Sequence, residues 1–138
     1  MKREDEPITP DEFVIRAIWT GFYNPQNPLP ILATAFRPRP DETDGISVFR
    51  AACVAKPEDV LVVFAEDKRD KYALALLPVA ELLKLGLTVE PAKIEATPGH
   101  AVLPELNCTA VSSDKAKWRE IQNKLAELAN ANLVRAPV

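Results

Sequence analysis

The residues in this sequence best suited to anion chemistry are two arginines set between prolines. Arg37 and Arg39 lie in the stretch AFRPRPDETDGISVF, residues 35–49. Residues two apart in an extended backbone point to the same side, so we expect their guanidinium groups to form a pair. A guanidinium binds carboxylate or phosphate through two parallel hydrogen bonds, which makes the pair a candidate anion site. In the alternative interpretation, nearby acidic residues neutralise both arginines: Asp41, Glu42 and Asp44.

His100 is the only histidine in the chain. Imidazole can act as an acid or a base near neutral pH, so His100 is a candidate catalytic residue, with Glu105 as a carboxylate partner if the fold brings the two together. The alternative is a turn histidine whose ring binds a backbone carbonyl. One histidine excludes a site with two histidine ligands, and Cys53 and Cys108 lack metal-ligand spacing, so the sequence predicts no metal.

Charge and motif content narrow the function classes. The formal net charge of −3 and a pI near 5.2 argue against broad nucleic-acid binding, which requires a basic surface. The common catalytic and nucleotide-binding motifs are absent, and with only 4 glycines a glycine-built phosphate loop is not expected. We therefore expect no cofactor.

The pattern of apolar residues indicates a soluble, cytoplasmic protein. No apolar run approaches the length of about 18 residues that a membrane-spanning helix needs, and MKREDEPITP lacks the apolar segment of a signal peptide. Cys53 and Cys108 are expected to be reduced, and a single disulfide is the alternative. The length of 138 residues suits one globular domain over residues 1–138.

Local patterns predict secondary structure for most of the chain. A capping-box pattern at Thr9, Pro10 and Glu12 predicts a helix over residues 10–18. The segments ILATAF and ISVFRAACV, joined through Asp44-Gly45, predict an antiparallel hairpin that carries Arg37 and Arg39 on a sheet edge. Residues 57–66 combine a helix start with strand-forming residues; we favour a helix.

The second half of the chain gives clearer signals. YALALL, LTVEP, residues 101–103 and LVRAPV predict strands, and PVAELLKLG predicts a short helix. Apolar residues at helical spacing, beginning with Trp118, predict an amphipathic helix over 113–131. The expected fold is an α+β domain: a small mixed, mostly antiparallel sheet packed by this long C-terminal helix and two or three short helices.

Three short elements carry a resemblance. Phe-Arg-Pro at 36–38, Asp-Gly with Ser-Val at 44–48, and Pro-Gly-His-Ala at 98–101 resemble a group of small uncharacterised bacterial proteins. The resemblance implies a bacterial origin and a compact α+β domain. It marks Arg37, Ser47 and His100 as shared positions but implies no activity.

Two functions of different classes fit these features. The first is a non-enzymatic accessory or regulatory domain of a small bacterial gene cluster, which docks a protein partner, encoded by a neighbouring gene, through the arginine-bearing hairpin. The second is a small enzyme or ligand-binding protein acting on a nucleotide or nucleic acid, with Arg37 and Arg39 as phosphate contacts and His100 as acid or base. An open sheet edge would also allow a homodimer.

Overall fold

The computed structural model describes residues 1–138, and its centre is a six-stranded antiparallel sheet. The strands are β1 (Phe13–Trp19), β2 (Ile46–Arg50), β3 (Tyr72–Pro78), β4 (Glu90–Pro91), β5 (His100–Leu103) and β6 (Leu133–Arg135). The α-helices are α1 (Val79–Lys84), α2 (Cys108–Ser113) and α3 (Lys115–Ala131). Short 3₁₀ helices cover Thr20–Phe22, Ala33–Phe36, Ala51–Cys53, Pro57–Val63 and Glu66–Lys71. This architecture confirms the predicted α+β class, although the sheet is wholly antiparallel and contains no parallel pair.

The order of strands across the sheet is β4-β5-β2-β1-β3-β6. The two edge strands, β4 and β6, are the shortest, with 2 and 3 residues. Pro91 ends β4, and a proline cannot donate to a further strand, so little of either edge is open for pairing with another chain.

Both faces of the sheet are covered, because successive residues of each strand point to opposite sides. On the first face, α1, α3 and the Ala33–Phe36 helix cover the larger core, to which Val14, Val48 and Leu77 contribute. On the second face, Ile15, Phe49 and Leu74 pack against Val60 and Leu61 of the Pro57–Val63 helix. The molecule therefore has three layers, with the sheet in the middle.

Several elements lie where the sequence predicts them. β2, β3, β5 and β6 and the short helix α1 occupy predicted positions, while only Glu90–Pro91 of the LTVEP segment forms a strand. The long predicted helix is α3, and Trp118 is buried in the first-face core. The chain from Pro57 to Val63 is helical, as favoured, but in the tighter 3₁₀ form.

The predicted helix over residues 10–18 is wrong, because this segment forms the central strand β1. A strand buried on both faces is apolar at consecutive positions, which hides the two-residue period that identifies a strand. The Glu12 carboxylate does accept a hydrogen bond from the Thr9 backbone N–H at 2.9 Å, as in a capping box. It also binds the side chain of Arg50 on β2, and the chain continues in extended form.

The predicted hairpin is also wrong. ILATAF contains the Ala33–Phe36 3₁₀ helix, and β2 lies inside the sheet between β5 and β1. Gly45 belongs to the loop that enters β2. It has φ of +122°, and a Cβ atom there would lie 2.3 Å from the Leu103 carbonyl oxygen. The Asp44-Gly45 pair therefore permits a close approach to β5 and does not form a hairpin turn.

None of the helices combines the length and the apolar character that a membrane span requires.

Candidate functional site

Arg37 and Arg39 do not form a pair, because their side chains line two different cavities. Both side chains are exposed, and the Pro38 between them is buried. Arg37 directly follows the Ala33–Phe36 helix and donates its backbone N–H to the Thr34 carbonyl. The stretch thus divides the two guanidinium groups between separate sites.

Arg37 lies in a groove of about 370 Å³ between its own loop and helices α2 and α3. The residues that line this cationic groove are Arg37, Pro38, Cys108, Val111, Ser112, Lys115, Arg119 and Gln122. Lys115, Arg119 and Gln122 are spaced by four and three residues, so they share one face of α3. The first two are exposed, and Gln122 forms the buried end of this row.

The cationic groove has an unbalanced charge. Its lining contains three cationic side chains and no aspartate or glutamate. Arg37, Lys115 and Arg119 take part in none of the ion pairs of the protein. Lys115 and Arg119 also stand four residues apart on α3, where like charges destabilise a helix. The groove therefore concentrates positive charge that the fold itself does not use.

Gln122 is a polar side chain at a core-facing position. Its neighbours on the buried stripe of α3 are apolar: Trp118, Leu125, Ala126 and Ala129. The side chain is only 5% exposed, and its Nε2 atom is buried without a hydrogen-bond partner. A buried donor left in this state costs roughly 1 to 3 kcal/mol. Stability alone does not explain a glutamine here.

A buried ion pair holds the loop that carries Arg37 and Arg39. Arg16 of β1 donates to Glu42 at 3.0 Å and to the carbonyls of Ala35 and Ser47 at 2.9 Å each. Glu42 in turn accepts from the backbone N–H groups of Ser47 at 2.7 Å and Arg39 at 3.1 Å. The loop is thus fixed to β1 and β2 at both of its ends.

The pKa of Glu42 reflects this network. Burial opposes ionisation of its carboxyl, but the charge of Arg16 and the hydrogen bonds from Arg16, Ser47 and Arg39 outweigh burial and hold the pKa below its ordinary value. Arg39 adds an ion pair with Glu42 at 3.6 Å. Among the acidic residues expected to neutralise the arginines, Glu42 does so for Arg39 and for none of the groove cations.

Arg39, Ser47 and His100 meet in a second cavity of about 120 Å³. The other residues of this second cavity are Arg16, Ala17, Phe49, Val63, Phe64 and Ile94. Nδ1 of His100 contacts the Ala92 carbonyl oxygen, and the ring lies edge-on to Phe49 at 5.3 Å between centroids. His100 therefore matches the alternative interpretation, a ring bound to a backbone carbonyl.

Glu105 does not act as the carboxylate partner of His100. Its two oxygens accept from the backbone N–H of Thr88 at 2.9 Å and from the Thr88 hydroxyl at 2.7 Å. Glu105 lines neither the cationic groove nor the second cavity. The structure thus separates the two residues that sequence reasoning grouped as acid and base.

The cysteines and acidic residues form no metal centre. Cys53 is buried, Cys108 is exposed on α2, and both are free. The Cys53 pKa is raised because burial disfavours the thiolate more than the nearby Arg50 favours it. No group of histidine, cysteine, aspartate and glutamate side chains is arranged to hold a metal ion.

Sequence reasoning missed most of the cationic groove. Lys115 and Arg119 resemble ordinary solvated residues of an amphipathic helix, and nothing local links them to Arg37 about 80 residues earlier. Gln122 gave a detectable signal, since it is four residues after Trp118 and three before Leu125 on the apolar stripe. Arg16 was detectable as well, because it is a charged residue within an otherwise apolar segment.

No family model, curated protein or solved structure matches the chain. Three residues noted in the sequence are divided between the two sites, with Arg37 in the cationic groove and Ser47 and His100 in the second cavity. What these sites bind must therefore be inferred from their own chemistry.

Proposed function

We propose that this protein is a non-enzymatic binding domain whose cationic groove docks an acidic segment of a protein partner. The observation that carries the proposal is the convergence of Arg37, Lys115 and Arg119, all without anionic partners, on one groove. An acidic segment supplies the missing countercharges, and arginine forms paired hydrogen bonds with carboxylates. Complementary charge of this kind directs association and selects partners.

The form of the groove favours a macromolecular ligand over a small molecule. Small-molecule pockets are concave, mostly apolar and bury most of the ligand surface. Here the cationic lining residues are exposed, and apolar contact is limited to residues such as Pro38 and Val111. A surface of this type suits a chain segment lying across it.

The proposed docking surface is formed by the Arg37 loop and helices α2 and α3, and not by the predicted arginine-bearing hairpin. The class of function, a protein-binding domain, is the one predicted from the sequence. The proposal includes a bacterial origin, which the resemblance implies, and an accessory or regulatory role with a partner encoded by a neighbouring gene. The two free cysteines are compatible with the reducing cytoplasm. We propose no homodimer, because both sheet edges are short.

The enzyme alternative has less support. It assigns Arg37 and Arg39 as phosphate contacts beside His100, and Arg37 lies in a different cavity from the other two. His100 already binds a carbonyl oxygen and lacks Glu105 as a partner.

The test is a titration of the purified protein with a fluorescein-labelled oligoglutamate peptide, followed by fluorescence anisotropy at low ionic strength. We expect binding that weakens as salt is added and that weakens roughly tenfold, or about 1.4 kcal/mol, in Arg37→Gln. Arg39→Gln is the matched control, because it removes the same charge from the same loop outside the groove. Equal weakening by both variants, or no binding by the wild type, would refute the proposal.

A further inference from the structure

We propose that the anionic group received by the cationic groove is a phosphate monoester on a side chain of the partner segment. This inference rests on the proposed function and specifies the ligand of the same groove. Three observations support it: the amount of unpaired charge, the number of hydrogen-bond donors, and the state of Gln122.

The charge of the groove fits a phosphate monoester better than a single carboxylate. Arg37, Lys115 and Arg119 contribute three positive charges, and no acidic residue lies among the lining residues. A phosphorylated side chain carries a charge of roughly −1.5 to −2 at neutral pH, whereas a carboxylate or a phosphodiester carries one negative charge. Arginine clusters are a recurrent means of recognising phosphorylated segments.

The donors of the groove also exceed what one carboxylate can accept. Besides the two guanidinium groups and the ammonium, the lining includes the hydroxyl of Ser112 as a further donor. The three terminal oxygens of a phosphate monoester accept from several such donors at once.

Gln122 provides an independent indication of a ligand. Its side chain is nine-tenths buried, and Nε2 is enclosed without a partner. The amide oxygen makes no hydrogen bond within the protein but is not enclosed in this way. A 180° rotation of the amide exchanges the two atoms and turns the NH₂ group toward the position of the oxygen. A phosphate oxygen in the groove would then accept a hydrogen bond from this NH₂ group.

The size and lining of the groove favour a phosphorylated segment over a nucleotide or nucleic acid. Its volume of about 370 Å³ is several times that of a phosphate group and leaves space for the side chain that carries it. No aromatic side chain lines the groove, so a base has no stacking surface. The net charge of −3 also disfavours a polyanionic strand.

The test compares three labelled peptides of identical sequence with serine, phosphoserine or glutamate at the centre, each titrated by anisotropy. We expect the phosphoserine peptide to bind at least tenfold more tightly than the glutamate peptide. Its affinity should fall below about pH 6, where the phosphate takes up a proton. Gln122→Leu should weaken phosphoserine binding several-fold without lowering the melting temperature, and Lys124→Gln, outside the groove, should leave binding unchanged.

The outcomes separate this inference from the proposed function. If glutamate and phosphoserine peptides bind equally, phosphate specificity is refuted and the acidic-segment proposal stands. If neither they nor oligoglutamate binds, both are refuted. Tighter binding of inorganic phosphate, AMP or a single-stranded oligonucleotide than of the phosphoserine peptide would overturn the assignment to a protein segment.

Discussion

Arg50 and Glu12 form a buried two-point ion pair, with Nε to Oε1 and Nη2 to Oε2 both at 2.9 Å. The pair joins the start of β1 to the end of β2. Glu12 also accepts from Lys2 at 3.1 Å and from the Thr9 backbone N–H at 2.9 Å. Arg50 additionally donates to the carbonyls of Glu4, Glu6 and Pro7. The pair therefore holds the N-terminal segment against the sheet.

We predict that Glu12→Gln destabilises the protein by about 3 to 5 kcal/mol, because it leaves the charge of Arg50 buried without its counterion. The measurement is urea unfolding followed by tryptophan fluorescence. Glu81→Gln is the control: it breaks the exposed pair between Glu81 and Lys84, at 3.2 Å, and should change stability by less than about 1 kcal/mol. Similar effects of the two variants would contradict a special role for the buried pair.

The same carboxyl predicts how stability depends on pH. Burial would raise the pKa of Glu12, but hydrogen bonds from Arg50, Thr9 and Lys2 and the charge of Arg50 lower it to about 2. A folded-state pKa below the unfolded value means that the stabilisation is complete above the unfolded pKa and is lost as the pH falls through the folded one. The Glu42 pKa is lowered as well, so both groups act in the same direction.

We therefore expect the free energy of unfolding to fall between roughly pH 4.5 and pH 2, with Glu12 contributing on the order of 2 kcal/mol. Urea unfolding at a series of pH values measures this decline. Glu12→Gln should show a shallower decline than the wild type. A wild-type stability that stays constant over this interval would show that the partners of Glu12 do not lower its pKa.

The fold could be predicted from local signals only where one period of apolar residues dominates. α3 was predictable because its apolar stripe runs for several turns, and β3 because strand-forming residues fill it. β1 was mistaken for a helix because burial on both faces removes the alternation. The strands that pair with β2 were predicted wrongly, because strand pairing depends on residues far apart in the sequence. The Asp44-Gly45 pair in the loop before β2 also resembles a hairpin turn.

The candidate site was predictable only in part for a similar reason. Arg37 was identified from its residue type and its prolines. The residues that give it a function in our proposal, Lys115 and Arg119, join it only through tertiary packing. The Arg16–Glu42 pair, which fixes the loop, could not be found because its members lie 26 residues apart.

Gly45 and Gly86 provide a matched comparison of backbone constraints. Both have positive φ, +122° and +80°, but a Cβ at Gly45 would lie 2.3 Å from the Leu103 carbonyl oxygen while one at Gly86 meets nothing within 4 Å. We predict that Gly86→Ala costs about 1 kcal/mol from conformation alone, and that Gly45→Ala costs clearly more than about 2 kcal/mol because β2 and β5 must also separate. Thermal melts of both variants test this, and equal losses would contradict the close approach.

The final prediction concerns the charge of the cationic groove in the absence of any ligand. Lys115 and Arg119 repel each other across one turn of α3, and Arg37 adds a third charge. Arg119→Gln should therefore stabilise the protein by a few tenths of a kcal/mol at low ionic strength, and added salt should remove the gain. Lys124→Gln is the control on the same helix, since Lys124 pairs with Glu120 at 3.7 Å and its loss should stabilise nothing. If Arg119→Gln destabilises the protein at low salt, Arg119 has a structural counterion. The groove would then lack the unpaired positive charge that the proposed anion binding requires.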